Sequence, residues 1–135
     1  MRLLLDINIV LDVVLARAPW AGEAAQLLSG AEQGHLEGHI AGHTVTTVFY
    51  IVAKEKGRQT AKTAVSDLLR ILHVVPLGDA DFQQALVLGL GDFEDAVQAA
   101  AALKIGADYL VTRNARDFRG IPTPIRNAGE ILALL

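Results

Sequence analysis

Cysteine is absent from the 135 residues. Disulfide staples, thiolate metal sites and cysteine nucleophiles are therefore excluded, and a reducing compartment is the natural setting. Serine is nearly absent. Ser29 and Ser66 are the only two, both in segments with helical spacing, which argues against a serine triad. Aromatic residues make up 5% of the chain and form no stacking array of the RNA-recognition kind. No basic excess exists either: the formal net charge is −3, and neither half reads as a nucleic-acid arm. Long apolar runs are missing too. The longest uncharged stretch, Gly38 to Ala53, carries two histidines and three threonines and is too short and too polar to span a bilayer. The opening Met1 to Asp6 meets an acid too early for a signal peptide. These absences predict a cytoplasmic protein with no membrane partner.

What is abundant is apolar surface. Hydrophobic residues make up 52% of the chain and mean hydropathy is +0.36. The length fits one domain over residues 1–135. Part of the apolar content forms its core, and part is available for a homodimer or partner surface.

Arg2 to Leu5 is a short apolar run ending at an aspartate, the pattern of a buried parallel strand. Ile7 to Leu15 continues apolar until Arg17-Ala18-Pro19. Trp20, Ala24, Leu27, Leu28 and Ala31 fall at helical spacing, predicting a helix over 19–33 that Gly34 stops. Leu36 to Ala41 reads as a second strand. Helices follow from His43 to Gly57 and from about Thr60, then a strand from His73 to Leu77. Gly78-Asp79 reads as a turn and cap before a helix marked by Phe82, Ala85, Leu86 and Leu90. Ala96 to Leu103 is almost all alanine, so a helix there can lie close against a sheet. Asp108 to Thr112 reads as a fourth strand, Arg113 to Pro122 as a polar loop, Thr123 to Arg126 as a short edge strand and Ala128 to Leu135 as a final helix. Strands alternating with helices predict an α/β fold with a mostly parallel sheet covered on both faces.

In such sheets ligands bind beyond the carboxyl ends of the strands. Asp6 falls there, directly after the first strand. So does the loop with Thr112, Arg113, Asn114 and Asp117. Asp92, Glu94 and Asp95 open the alanine-rich helix, and Asp92 and Asp95 are three apart on one face. Carboxylates brought together repel, and a divalent cation removes that cost. Oxygen-only ligands suit Mg²⁺ or Mn²⁺, whose chemistry includes phosphodiester hydrolysis. The competing reading is that Asp92 and its neighbours only cap the helix and offset its dipole. Asp6 has no such structural explanation.

Leu3-Leu4-Leu5-Asp6-Ile7-Asn8-Ile9-Val10-Leu11-Asp12 resembles the opening motif of PIN-domain nucleases. Phe93-Glu94-Asp95-Ala96-Val97-Gln98 resembles their second acidic motif, and Leu110-Val111-Thr112-Arg113-Asn114-Ala115-Arg116-Asp117-Phe118 their third. Order and spacing agree over nearly the whole chain. The resemblance implies a three-layer α/β/α sandwich with a four- or five-stranded sheet. It also implies a Mg²⁺- or Mn²⁺-dependent ribonuclease of the kind that serves as toxin in bacterial toxin–antitoxin pairs, with RNA as substrate and a small antitoxin as partner. Carried over by motif, Asp6 and Asp95 are the principal catalytic metal ligands, and Asn8 and Thr112 support them. Asp12 belongs to the first motif, but a structural role on its helix is equally open.

Two positions depart from the family pattern. Its glutamate on the helix after strand two has no counterpart in His43 to Tyr50, where Thr47 is the expected occupant. Its aspartate after the strand-four threonine is Asn114. Both changes remove negative charge, for which Asp92 or Asp117 compensates as a further metal ligand. Arg113 and Arg116 are candidates for RNA phosphates, against the reading that each lies in a solvated loop. The same alternative holds for Lys54, Lys56, Arg58 and Lys62. The missing acids leave a second function open, a catalytically weak or inactive module binding RNA or protein. An aspartate-nucleophile phosphatase is disfavoured, because Asn8 stands where its second aspartate belongs. His35, His39 and His43 recur every four residues, but four residues of strand cover roughly 13 Å. They read as surface or strand-end histidines rather than ligands of one ion.

Overall fold

The computed structural model describes all residues from Met1 to Leu135. Five parallel strands form one sheet in the order β3-β2-β1-β4-β5. They are β1 (Arg2–Leu5), β2 (Glu37–Ala41), β3 (His73–Val75), β4 (Tyr109–Val111) and β5 (Ile125–Arg126). Seven helices cover it: α1 (Ile7–Val14), α2 (Ala21–Glu32), α3 (Gly42–Lys56), α4 (Arg58–Ile71), α5 (Asp79–Val87), α6 (Phe93–Lys104) and α7 (Ala128–Leu132).

The alternation of side chains along β1 builds the two cores. Leu3 and Leu5 face one side and pack with α1, α2, α3, α4 and α7. Leu4 faces the other, with Ala41, Val75, Leu110 and the alanines of α6. Three layers result, as the sequence resemblance implies. Residues Ala96 to Ala102 of α6 are all buried. Ala99, Ala101 and Ala102 meet the sheet, while Ala96, Val97 and Ala100 meet Ala85 of α5. Small side chains are what bring this helix close to the strands.

Several boundaries differ from the sequence reading. The apolar stretch after Asp6 is a helix, α1, because β1 ends level with its neighbours and has no further strand to pair with. The third strand stops at Val75, two residues short of Leu77. At Gly78 the turn is closed by Asp81, whose carboxylate accepts from the Gly78 N–H at 2.8 Å. Asp79 lies inside α5. The polar loop after β4 holds a 3-10 turn, Ala115–Phe118, which buries Phe118 to 1% exposure. The final helix ends at Leu132, and the last strand is a two-residue edge pairing. The apolar excess reappears on the surface as Tyr50, Leu86 and Val87, each at least 70% exposed. No helix is long and apolar enough to cross a membrane.

Close packing of α6 makes a testable demand. Ala101→Leu is expected to cost about 1–3 kcal/mol through overpacking. A urea denaturation series checks it, as a lower midpoint with unchanged slope. An unchanged midpoint means that α6 has room to spare.

Candidate acidic site at the carboxyl edge

Strand register places the parts. Leu4 is level with His39 and Leu5 with Val111, so one step further Asp6 is level with Ala41 and Thr112. Asp6 also continues the ladder, its N–H donating to Val111 O at 2.9 Å. Two residues beyond Leu4, its side chain turns to the same face, toward α6. There it is 2% exposed. Oδ1 accepts from Gln98 Nε2 at 3.1 Å and Oδ2 from Thr112 Oγ1 at 2.7 Å. Buried polar groups need such partners. Each donor is oriented in turn: Gln98 Oε1 accepts from the Ile7 N–H at 2.8 Å, and Thr112 Oγ1 accepts from the Asn114 N–H at 2.9 Å.

Asp95, in the first turn of α6, is half-buried. Burial first, then the negative charges of Asp92, Asp6, Asp117 and Glu94, push its carboxyl up to about 7. These five acids therefore share one electrostatic field. Asp92, the N-cap of α6, accepts from the Asp95 N–H at 3.0 Å. It does cap the helix, while still adding charge. Asp117 and Arg116 are exposed on the 3-10 turn. They border an open polar hollow of about 360 Å³ with Arg113 and Asn114. Asn8 is half-buried on α1. Thr47 turns its hydroxyl back to its own helix, donating to His43 O at 3.1 Å.

Arg113 has a partner other than phosphate. Its Nε donates to Asp12 Oδ2 at 2.8 Å and its terminal nitrogen to Oδ1 at 3.3 Å. Its guanidinium lies 3.8 Å over the Trp20 ring. Asp12 is wholly buried, so its role on α1 is this ion pair. The solvated-loop reading of Arg113 is corrected: it anchors the loop after β4.

Two residues near the edge had no role in the sequence reading. Gln98 lay inside the second motif, and its place three residues after Asp95 on one helix face was the available signal. His43 was set aside as a surface or strand-end histidine. It opens α3 next to the edge, where burial pushes its imidazole pKa down against the pull of Glu94. Both of its ring nitrogens and the Thr44 hydroxyl are buried without protein partners. His35 is exposed, and His39 stacks on His73 with ring centroids 4.9 Å apart.

The donor set fits a hard divalent cation. All candidate ligands are carboxylate oxygens, and repulsion around Asp95 is what a cation relieves. No three acidic or histidine side chains converge as a ready-made cage. A groove of about 570 Å³ among α1, α2 and α4 lies away from these acids.

The arrangement of a parallel sheet with acids gathered at its carboxyl edge is that of the PIN domain. The family model of that domain matches residues 2–116, and the chain belongs to the PIN-domain family. Solved structures share the fold. DNA-bound VapBC from Salmonella typhimurium is similar at a TM-score of 0.74 and 17% identity, over 95% of this chain and 98% of that one. A toxin–antitoxin complex from Klebsiella pneumoniae gives 0.69 and 24%, over 93% and 96%. Mycobacterium tuberculosis VapC20, a sarcin-ricin loop cleaving toxin, gives 0.66 and 17%, over 80% and 86%. No curated protein sequence matches the chain significantly.

Two expectations follow. The folded-state pKa of Asp95 lies above its ordinary 3.8, so the folded protein holds a proton there that the unfolded chain has released. The stability this contributes is full below pH 3.8 and is lost as pH rises through about 7. In chelator, Asp95→Asn should therefore gain in Tm relative to wild type as pH rises across that window. A pH-independent difference means that Asp95 titrates normally. Arg113→Ala should destabilise the fold by about 3 kcal/mol, because it leaves the buried Asp12 carboxylate only the longer contact to Arg17 at 3.8 Å. Chemical denaturation decides this, and full stability with weakened RNA binding would return Arg113 to the substrate.

Proposed function

We propose that this chain is a metal-dependent ribonuclease that hydrolyses RNA phosphodiester bonds and serves as the toxin of a toxin–antitoxin pair. One observation carries the reading: a half-buried Asp95 raised to about 7 by its burial and then by four surrounding acids, one of them Asp6 at the end of the central strand. Such a field is costly unless a cation occupies it. PIN-family membership and neighbours that are toxin–antitoxin complexes support the biological setting. An antitoxin is the proposed protein partner.

Asp6 and Asp95 would hold Mg²⁺ or Mn²⁺, with Asp92 and Asp117 adding charge from the rim. The cation supplies a lower pKa for bound water and stabilises charge on the phosphoryl group. The protein's own part is orientation and exclusion. Gln98 and Thr112 fix both Asp6 oxygens, α6 carries Asp95 as a rigid element, and burial of Asp6 strengthens every interaction there. Arg116 is the exposed cation available to a flanking phosphate.

The second reading is a weakly active or inactive RNA- or protein-binding module. Thr47 favours it, since its hydroxyl is spent on its own helix and adds no ligand charge.

The expected result is cleavage of single-stranded RNA with Mn²⁺ or Mg²⁺. In Asp6→Ala or Asp95→Ala it should fall by more than about a hundredfold, the upper range for losing an outer-shell partner. Intact RNA with either metal, together with RNA binding indifferent to Asp6→Asn, selects the second reading.

A further inference from the structure

Asp6 occupies the N-cap position of α1, and aspartate is among the strongest capping residues. Yet its side chain makes no capping bond. The Ile9 N–H donates to the Asp6 backbone carbonyl at 2.9 Å, the first N–H of α1, at Ile7, donates to Gln98 of α6, and the nitrogen of the same carboxamide donates to Asp6 Oδ1. Gln98 is 0% exposed.

We propose that Gln98 is a positioning residue: by bridging the Ile7 N–H and Asp6 Oδ1, it holds the Asp6 carboxylate off its own helix end and in place for a divalent cation. The proposal rests on the metal-dependent reading of this site. Its logic is set by donor and acceptor types. Only the carboxamide oxygen can accept from Ile7, so the nitrogen must face Asp6. A carboxylate has about four lone-pair sites. Gln98 and Thr112 each take one, and the remainder stay available. Asp95 lies one turn before Gln98 on the same helix. The second carboxylate and the clamp on the first therefore ride on one rigid element, so the spacing of the two acids does not depend on a loop.

Calorimetric titration of the full chain with Mn²⁺ alone tests this. Gln98→Met keeps the volume and removes both hydrogen bonds, and its Mn²⁺ affinity should fall about tenfold. Gln98→Asn, too short to bridge Ile7 and Asp6, is the second variant should the first not fold, and it should fall in the same direction. A helix cap of purely structural importance lowers Tm without changing the Mn²⁺ affinity of the folded protein. Wild-type affinity in whichever variant folds therefore overturns the proposal. If the wild-type chain itself binds no Mn²⁺, the metal reading fails, and the crystal structure of the variant decides the positioning role separately. An Asp6 carboxylate turned back onto the Asn8 N–H supports it, and an unmoved carboxylate refutes it.

Discussion

Burying one carboxylate at the end of a central strand governs the rest of this structure. At 2% exposure Asp6 has almost no access to bulk water, and an unpaired carboxylate there would cost several kcal/mol or more. Its donors come from places far apart in sequence, Gln98 on α6 and Thr112 after β4. Reaching Asp6 requires α6 to lie almost on the sheet. That explains its composition: Ala99, Ala101 and Ala102 are the side chains that let the helix approach while Gln98 spans the remaining gap. The alanine run is thus a requirement of the site as much as of the core.

The two aspartates of the first motif have opposite fates. Asp12 is also wholly buried, but it is neutralised by Arg113 at 2.8 Å and by Arg17 at 3.8 Å. Asp6 is given only neutral donors. The Asp12 pair, stacked beneath Trp20, fixes the start of the loop after β4. That loop in turn supplies Thr112 and the Asn114 N–H to the Asp6 network. A salt bridge outside the acidic edge thereby helps orient the carboxylate inside it. No arginine is among the charges that act on Asp95, and Arg113 is spent on Asp12.

Much of the architecture could be read in the sequence because buried parallel strands are continuous apolar runs. Leu3 to Leu5, Ile40-Ala41 and Leu110-Val111 carry that mark. α1 was not legible. Ile7, Ile9, Val10 and Val13 are β-branched, and its polar residues, Asn8 and Asp12, are too few to trace a helical face. Only the end of the sheet makes it a helix. Phe118 was hidden by its polar neighbours. The acids of the site could be located from strand ends and a helix start, but pairing Asp6 with Asp95 came from the family resemblance. Gln98 and Arg113 stayed opaque for one physical reason. Their roles are defined by partners 92 and 101 residues away, which no local spacing encodes.

The two departures from the family pattern are not equivalent. At position 47 a threonine turned onto the His43 carbonyl contributes neither charge nor an oriented donor to Asp6. At position 114 the side chain loses a charge, but the contribution to the network is the backbone N–H, which donates to Thr112 whatever the side chain. The relay to Asp6 therefore survives the change while the repulsion around it is reduced. Even with those acids missing, burial and the remaining acids hold Asp95 near 7. Restoring both would push it further in the same direction, since like charges add. The sparser set thus leaves the Asp95 carboxyl closer to neutral pH, where a fuller cluster would keep its proton more tightly.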